Sequence, residues 1–381
     1  MGRYTRQLLA SLAGSRDVRF VLFARPDAAQ PDFADLPDVQ TRIESIEPVE
    51  TPPVLPWGRL FRFVLVRRAY HVTIENRHRG ALARAVRRTR PDLLHLPSLT
   101  ETDYFADAGG VCPSVATLHD LIPLLLRADY LDHWMPSTRE MYRRQIAGFA
   151  RVNAVAGDSQ SAQSDGLRLL GLAADRVRVV YPAIRVESLL PSTAAQTVAF
   201  RYDITGPFFL YASGAGANKN LPRTLAGYTA YARSAKNPLP LVLAGKMPPD
   251  IVELVNGLVN VPVCLLGFVP DADLFALMQC ARAVVIVSRA EGFGLPAAEA
   301  MARGTTVLAG NNSSLPEVVS DVGLLVDANS ENEIAGGFCY LAKNPEWCRQ
   351  QGERGRAYVA EKFNPQVQRD ALLSLYAGVL K

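Results

Sequence analysis

Glutamate and glycine residues in the second half of the chain are spaced to hold an elongated anionic ligand. Glu291 and Glu299 flank a segment in which Gly292 and Gly294 precede a helix that begins at Leu295. Glycine lets the backbone approach a ligand closely, and the first amides of a helix have no partners within it. A phosphate at this point meets N–H donors and a favourable helix dipole. The segment predicts a phosphate site between two carboxylates that contact different parts of one ligand.

A lysine in a second glycine-bearing loop predicts the positive charge that such a ligand needs. Residues 211–221 predict a strand, a loop that carries Lys219, and the start of a helix. A cation there can neutralise a diphosphate and stabilise the charge that develops as it leaves. The alternative is a loop lysine that contacts only solvent, and the nearby glutamate pattern favours the first interpretation.

Short apolar runs that alternate with amphipathic stretches predict the elements that position these residues. In the second half the runs predict strands at 208–213, 239–245, 261–267, 283–288, 305–309 and 323–326. Helical spacing occurs at 221–233, 250–258, 271–280, 295–302, 315–320 and 331–344. This order predicts a doubly wound parallel sheet with right-handed crossovers, whose ligand lies beyond the carboxyl ends of the strands.

The first half shows the same alternation less clearly, with strands predicted at 18–24, 93–96, 114–118, 153–157 and 177–180. A chain of 381 residues exceeds one ordinary core. We therefore predict an α/β protein with two Rossmann-like doubly wound domains that face a cleft. The expected domains are 1–190 and 191–363, with the stretch 181–205 as their connection and a last helix in 364–381 that packs back on the first domain.

The glutamate segment closely resembles the E-x7-E signature of glycosyltransferase family 4, retaining enzymes of GT-B fold. The resemblance runs from Ser288 to Gly304 and continues through 315–319 into 321–327. It implies that Glu291 contacts hydroxyls of a donor sugar, that Glu299 holds the ribose of the nucleotide, and that no metal or other cofactor is needed. The implied donor-binding positions are Ser213, Gly214, Lys219, Asn220, Val269, Glu291, Gly292, Phe293, Gly294, Leu295 and Glu299.

The lysine loop departs from the family pattern in two places. Family members bind the diphosphate with an Arg-Lys pair and with an arginine six residues before the lysine. Here Asn218 precedes Lys219, and Ser213 occupies the earlier position. Either Lys219 works with backbone amides alone, or another basic residue such as Arg223 replaces the missing arginines.

Histidines in the first half are the remaining candidates for chemistry. His119 and Asp120 follow the predicted strand 114–118. A lone histidine is more often structural, but the resemblance implies that His119 lies beside the donor sugar and acts with Glu291 and Lys219 in catalysis. His95, Asp120 and the loop 98–104 resemble the acceptor side of the family site.

Asp271 and Asp273 form a D-x-D pattern that binds metal in other glycosyltransferases. They also open a predicted helix, where aspartate caps the first turn and complements the dipole. We favour the helix-start interpretation and expect no metal.

Charge and cysteine content indicate where the protein works. The stretch from Arg59 to Arg90 holds ten arginines and one acidic residue, interleaved with aromatic side chains. It predicts either peripheral contact with an anionic membrane or a solvated helix face, and nucleic acid is disfavoured because no binding motif accompanies the charge. Five scattered cysteines without a C-x-x-C pair favour a reducing cytoplasm, including the inner face of the membrane.

The first nine residues resemble a family stretch that normally follows a first strand and a glycine loop. We therefore expect the first strand of the family pattern to be missing from this chain, through a misplaced start or a truncation.

The expected activity is transfer of a hexose, mannose or a similar sugar, from a nucleotide diphosphate sugar to a saccharide or lipid-linked saccharide in surface polysaccharide synthesis. GDP-mannose is the first choice of donor, and UDP-sugars are the second. The alternatives are a nucleotide-sugar epimerase on the same architecture and an inactive sugar-nucleotide-binding protein.

Overall fold

A computed structural model describes residues 3–15, 18–24, 43–48, 83–104, 110–187 and 189–381. These residues form two compact units, one made of Met1–Ala183 with Pro365–Lys381 and one of Ile184–Asn364. The division falls after Ala183 and not at residue 190, because the chain from Ile184 already bonds within the second unit. The Ile184 amide donates to the Phe363 carbonyl at 2.6 Å.

The first unit contains parallel strands in two sheets. The strands are β1 (Phe20–Ala24), β2 (Ile43–Pro48), β3 (Leu94–Leu96), β4 (Ser114–Leu118), β5 (Ala154–Gly157) and β6 (Val177–Val179). β1 pairs with β2, and the other four form a sheet in the order β3-β4-β5-β6. Every residue of β4 and β5 is buried, as expected for inner strands of a parallel sheet covered on both faces.

Helices precede and follow these strands along the chain. They are α1 (Arg3–Leu12), α2 (Leu99–Tyr104), α3 (Ile122–Leu125), α4 (Pro136–Gly148) and α5 (Gln160–Leu170). The segment 98–104, which the sequence suggested as a loop, is therefore mostly helical. The buried Thr102 hydroxyl donates to the carbonyls of Leu99 and Gln145, and this ties α2 to α4.

The second unit is one six-stranded parallel sheet. Its strands are β7 (Phe209–Tyr211), β8 (Leu241–Ala244), β9 (Val263–Gly267), β10 (Ala283–Ile286), β11 (Val307–Gly310) and β12 (Leu324–Val326). They lie in the order β9-β8-β7-β10-β11-β12, so the chain first builds outward to one edge and then returns to the middle. This is the strand order of a Rossmann fold.

The helices of the second unit are α6 (Ser192–Arg201), α7 (Leu221–Ser234), α8 (Pro249–Asn256), α9 (Asp271–Cys280), α10 (Leu295–Ala302), α11 (Leu315–Val319), α12 (Glu331–Lys343) and α13 (Pro345–Lys362). The strands and helices expected in this half are all present. Two further helices were not expected, α13 and α6, and α6 lies inside the stretch 181–205 that we interpreted as a connection. α6 buries only the small side chains Ala195 and Ala199, so its apolar pattern is weak in the sequence.

The last helix, α14 (Pro365–Val379), belongs to the first unit and packs on α1. Leu372 and Leu375 share a buried cluster with Tyr4 and Leu8. The Ser11 hydroxyl also donates to the Gln368 side-chain oxygen at 2.7 Å.

Candidate functional site

The lysine loop and the glutamate loop follow neighbouring strands of the six-stranded sheet. β7 and β10 lie side by side at the point where the strand order reverses. In open parallel sheets this point opens a crevice at the carboxyl ends of the strands, where ligands bind. The loop after β7 carries Lys219, and the loop after β10 carries Glu291. The fold thus brings two predicted site residues to the position where such a sheet binds its ligand.

Lys219 and Glu291 form an ion pair in this crevice. The lysine Nζ lies 2.8 Å from both carboxylate oxygens of Glu291. The Ser288 hydroxyl donates to Oε1 of the same carboxylate at 2.6 Å. The side chain of Glu291 is only 7% exposed and that of Lys219 is 22% exposed. Burying a charged carboxylate costs free energy, and these partners offset that cost.

Side-chain amides join the two loops. Asn218 Nδ2 donates to the Ala290 carbonyl at 3.0 Å, and the Arg289 amide donates to the Asn218 carbonyl at 2.7 Å. Asn220 Nδ2 donates to the Val287 carbonyl at 3.1 Å. Asn218 and Asn220 flank Lys219 in the sequence, and Ala290 directly precedes Glu291.

The glutamate loop ends at Gly294, whose backbone conformation favours a residue without a side chain. Gly294 has a φ of +95°, and a Cβ there would lie 3.0 Å from a methyl carbon of Leu315. α10 begins at the next residue, with Pro296 in its first turn, where a missing N–H costs nothing. Glu299 is buried within this helix at 6% exposure.

Two serines just before α11 bind the backbone of the glutamate loop. The Ser313 hydroxyl donates to the Glu291 carbonyl at 2.6 Å and accepts from the Glu291 amide at 3.1 Å. The Ser314 hydroxyl donates to the Phe293 carbonyl at 2.9 Å. Sequence reasoning did not assign roles to Ser313 and Ser314, because their partners lie in another loop and leave no periodic signal. It also assigned no role to Ser288, whose bond to Glu291 depends on the fold of the glutamate loop.

Two of the expected donor-binding side chains are turned into the core. Phe293 is 3% exposed and packs edge-on against Phe363, so only its backbone is placed to meet a ligand. Val269 is 7% exposed and follows β9, the edge strand, which β8 separates from β7. Ser213 and Gly214 lie in the lysine loop, and the Tyr211 hydroxyl donates to the Gly214 carbonyl at 2.8 Å.

Arg223 and the D-x-D pattern have local roles in the structure. Arg223 lies in the first turn of α7, with Nη1 3.5 Å from the Asn220 side-chain oxygen. Asp273, in the first turn of α9, accepts from Arg201 at 2.7 Å and from the Tyr202 hydroxyl at 2.8 Å. Within the described ranges, no group of three or more His, Cys, Asp or Glu side chains is placed to hold a metal ion.

His119 belongs to the first unit, and both of its ring nitrogens face oxygen acceptors. Its Nδ1 lies 2.9 Å from Asp158 Oδ2, and its Nε2 lies 2.9 Å from the Pro97 carbonyl. The protonated ring satisfies both partners, because each of its nitrogens can then donate. Burial lowers the pKa of His119, but the hydrogen bond and charge of Asp158 outweigh it and leave the pKa above its usual value.

His95 is neutral and is built into the packing between β3, β4 and α14. Its Nδ1 lies 2.5 Å from the Tyr376 hydroxyl, and its Nε2 lies 2.8 Å from the Thr117 hydroxyl. Burial, and then the charge of His119, lower the pKa of His95 to about 3. These partners engage both ring nitrogens, and the acceptor role of His95 stays a prediction.

Asp120 directly follows His119, and its side chain accepts from the Ile122 amide at 3.0 Å at the start of α3. Its acceptor-side role also stays a prediction.

The arginine-rich block lies mostly outside the described residues, which resume at residue 83. There residues 83–89 are helical, with Val86 buried and Arg84, Arg87 and Arg88 exposed. None of the helices in the described part of the chain is both long and apolar enough to cross a membrane.

Two family models match the chain, one in each half. The family described as Glycosyltransferase Family 4 matches residues 1–188. The family described as Glycosyl transferases group 1 matches residues 200–358.

Curated relatives from Escherichia coli are similar over most of the chain. The serotype-specific mannosyltransferase WbdA is 31% identical over 280 residues, which cover 68% of this chain and 34% of the relative. The matched region therefore spans about a third of the length of that relative. The O-antigen chain mannosyltransferase B is 27% identical over 373 residues, which cover 95% of this chain and 91% of the relative.

A solved structure agrees with the fold over nearly the whole chain. The crystal structure of Anabaena Alr3699/HepE in complex with UDP and glucose has a TM-score of 0.74 and 17% identity, covering 99% of this chain and 96% of that chain. At this identity the likeness concerns the fold alone. Together with the two family matches, it shows that the chain belongs to the family 4-like glycosyltransferases and has a GT-B fold.

Proposed function

We propose that the chain is a retaining glycosyltransferase of surface polysaccharide synthesis. It transfers a hexose, with mannose as the first choice, from a nucleotide diphosphate sugar to a saccharide or lipid-linked saccharide. The Lys219–Glu291 pair at the switch point of the second sheet is the observation that carries the proposal, because a cation and a carboxylate there suit a diphosphate and a sugar. The mannosyltransferase names of the relatives favour mannose. We propose GDP as the first choice of its carrier and UDP as the second.

Lys219 has to change partners for this chemistry. In the structure its ammonium pairs with the Glu291 carboxylate. When a diphosphate enters, the ammonium turns to the phosphate oxygens, and the Glu291 carboxylate accepts hydrogen bonds from sugar hydroxyls while Ser288 still holds it. Glu299, one turn into α10, holds the ribose hydroxyls.

The proposed transfer step uses these groups. The acceptor oxygen bonds to the anomeric carbon on the face from which the nucleotide departs, so the configuration is retained. The bond from that carbon to the phosphate oxygen breaks, and a phosphate oxygen takes the acceptor proton. Lys219 and the amides at the start of α10 stabilise the charge on the leaving phosphate, and donors placed in this way typically contribute about 10²–10³ in rate each.

The test is a transfer assay with GDP-mannose and an α-linked mannose oligosaccharide in the presence of EDTA. We expect an extended oligosaccharide whose new linkage is again α, measured from the one-bond C–H coupling of the new anomeric centre by NMR. We expect loss of product with Lys219→Met and unchanged product with the surface variant Asn344→Ala. A β linkage, or an epimerised nucleotide sugar formed without acceptor, would contradict the proposal.

A further inference from the structure

We propose that Asn218 is a positioning residue of the donor site. It fastens the lysine loop to the glutamate loop and so sets the separation between Lys219 and Glu291. The inference rests on the proposed function only in assuming that these two charged groups receive the donor.

Two hydrogen bonds between the loops run in opposite directions at Asn218. Its side-chain amide donates to the Ala290 carbonyl at 3.0 Å, and its own carbonyl accepts from the Arg289 amide at 2.7 Å. A slip of either loop by one residue would break both bonds. Lys219 directly follows Asn218 and Glu291 directly follows Ala290, so the same two bonds fix the spacing of the charged side chains.

Burial makes this pairing specific. Asn218 is 8% exposed, and an amide in such a place is costly unless its N–H groups find acceptors. The Ala290 carbonyl supplies one acceptor, and an aliphatic side chain at 218 would leave that carbonyl without this donor. The Asn218 side chain therefore selects one arrangement of the two loops.

The direction of the Asn218 side chain also indicates what this residue does where the family pattern has an arginine. The family pattern has an arginine at this position, where it adds a second positive charge for the diphosphate. In this chain the Asn218 side chain donates to the neighbouring loop. It therefore positions the two loops and adds no positive charge for the diphosphate. Lys219 is then the cation of this loop, held in place by its neighbour.

Other hydrogen bonds hold the lysine loop and the glutamate loop and allow a variant at 218 to fold. Asn220 in the lysine loop donates to the Val287 carbonyl at 3.1 Å. Asn312, in the loop after β11, donates to the Arg289 carbonyl of the glutamate loop at 2.6 Å. We therefore expect Asn218→Ala and the shape-matched Asn218→Asp, which cannot donate to Ala290, to retain the fold.

Crystal structures of the wild type and both variants test the geometry without any assumption about activity. The inference predicts that the 2.8 Å contacts between Lys219 and Glu291 are present in the wild type and in Asn344→Ala. It predicts that they are lost in both Asn218 variants. Retention of the contacts in Asn218→Ala and Asn218→Asp would overturn the inference.

A double-mutant cycle separates positioning from a merely structural role. Dissociation constants for GDP and for UDP are measured by calorimetry for the wild type, Asn218→Ala, Lys219→Met and the double variant. We expect Asn218→Ala to weaken binding about tenfold when Lys219 is present and less than about twofold when it is absent, because residues that act through one another are not additive. Equal effects in both backgrounds would overturn the inference, whereas no binding of either nucleotide to the wild type would count against the proposed function and leave the crystallographic result to decide on Asn218.

Discussion

At the scale of single residues, the Lys219–Glu291 pair bears on both the stability of the second unit and the proposed donor site. Each charged group loses hydration on burial and gains the other as a partner, and the Ser288 hydroxyl donates a further hydrogen bond to Glu291. An unpaired charge in such a place is costly, because the interior does not replace its lost hydration. In the proposed function, donor binding separates two groups that stabilise the site.

The first prediction concerns the stability of this pair. Lys219→Met leaves the Glu291 carboxylate without its cation and should destabilise the second unit by about 1–3 kcal/mol, which lowers its melting temperature by about 3–10 °C. Adding Glu291→Gln should restore most of the loss, since the amide needs no counter-charge. Differential scanning calorimetry measures both, and a double variant that is less stable than Lys219→Met would argue against the pair.

The second prediction concerns acid sensitivity of the first unit. The pKa of His95 is lowered to about 3 in the folded chain, so between about pH 6.5 and pH 3 only the unfolded chain gains this proton and stability falls by up to about 1.4 kcal/mol per pH unit. His119 has the opposite sign, because its raised pKa gives stability that is present below pH 6.5 and is lost as the pH rises through the folded value. The acid-side slope therefore comes from His95.

Melting temperatures from about pH 5 to pH 6.5 test this assignment. His95→Gln should flatten the slope, because it removes a group whose pKa is lowered in the folded chain. An equal slope in His95→Gln would show that another group titrates.

The sequence predicted the chemical groups of the site better than their supports. Lys219 and Glu291 stand in loops after apolar strands, so residue type and strand order together locate them. Asn218 and Ser313 support them through hydrogen bonds to a neighbouring loop, and Ser288 through a bond within its own loop. Such partners depend on three-dimensional placement. Phe293 shows the reverse case, because its position in the motif predicted contact while its side chain packs on Phe363.

At the scale of elements, α13 determines how α10 is held. A Cβ at Gly352 would lie 1.9 Å from the Gly304 carbonyl oxygen, and one at Gly355 would lie 3.3 Å from Met301. The two glycines let α13 approach the end of α10 closely. The sequence did not predict α13, because the face that contacts α10 carries glycines and no large apolar stripe. The same holds for α6, whose buried side chains are alanines.

The third prediction uses this close approach. Gly352→Ala forces α13 away from the end of α10 and should destabilise the second unit by about 1–3 kcal/mol, as overpacking commonly does. Gly336→Ala in α12 is the matched control, because among the described residues its methyl group would enter open space. It should be neutral or stabilising by up to about 1 kcal/mol, from helix propensity. A Gly352→Ala protein as stable as the control would contradict the packing described for α13.

At the scale of the whole molecule, the doubly wound parallel sheet could be predicted because apolar runs and helices alternate regularly in the second half. The first half was harder, since α2 has little apolar patterning and, within the described residues, β2 (Ile43–Pro48) pairs only with β1. Family membership accounts for the architecture of both units. It leaves the sugar, the nucleotide and the acceptor to experiment.

The fourth prediction concerns the arginine-rich block from Arg59 to Arg90. If it holds the protein at an anionic surface, each arginine near the headgroups contributes about 1 kcal/mol. The chain should then sediment with vesicles that contain phosphatidylglycerol and remain in solution with phosphatidylcholine alone, and binding should weaken as salt rises. Replacing the exposed Arg84, Arg87 and Arg88 together by alanine should reduce binding, and equal binding to both vesicle types would favour a solvated helix face.

The central claim is that the Lys219–Glu291 crevice receives a nucleotide diphosphate sugar without metal. Its most direct test is the melting temperature of the protein with GDP-, UDP-, ADP- and dTDP-sugars in the presence of EDTA. A ligand at a hundred times its dissociation constant stabilises the folded state by about 2.7 kcal/mol. We predict such a shift with GDP-mannose first, lost in Glu299→Ala and Lys219→Met and kept in Asn344→Ala; no shift with any of the four nucleotide sugars would contradict the account.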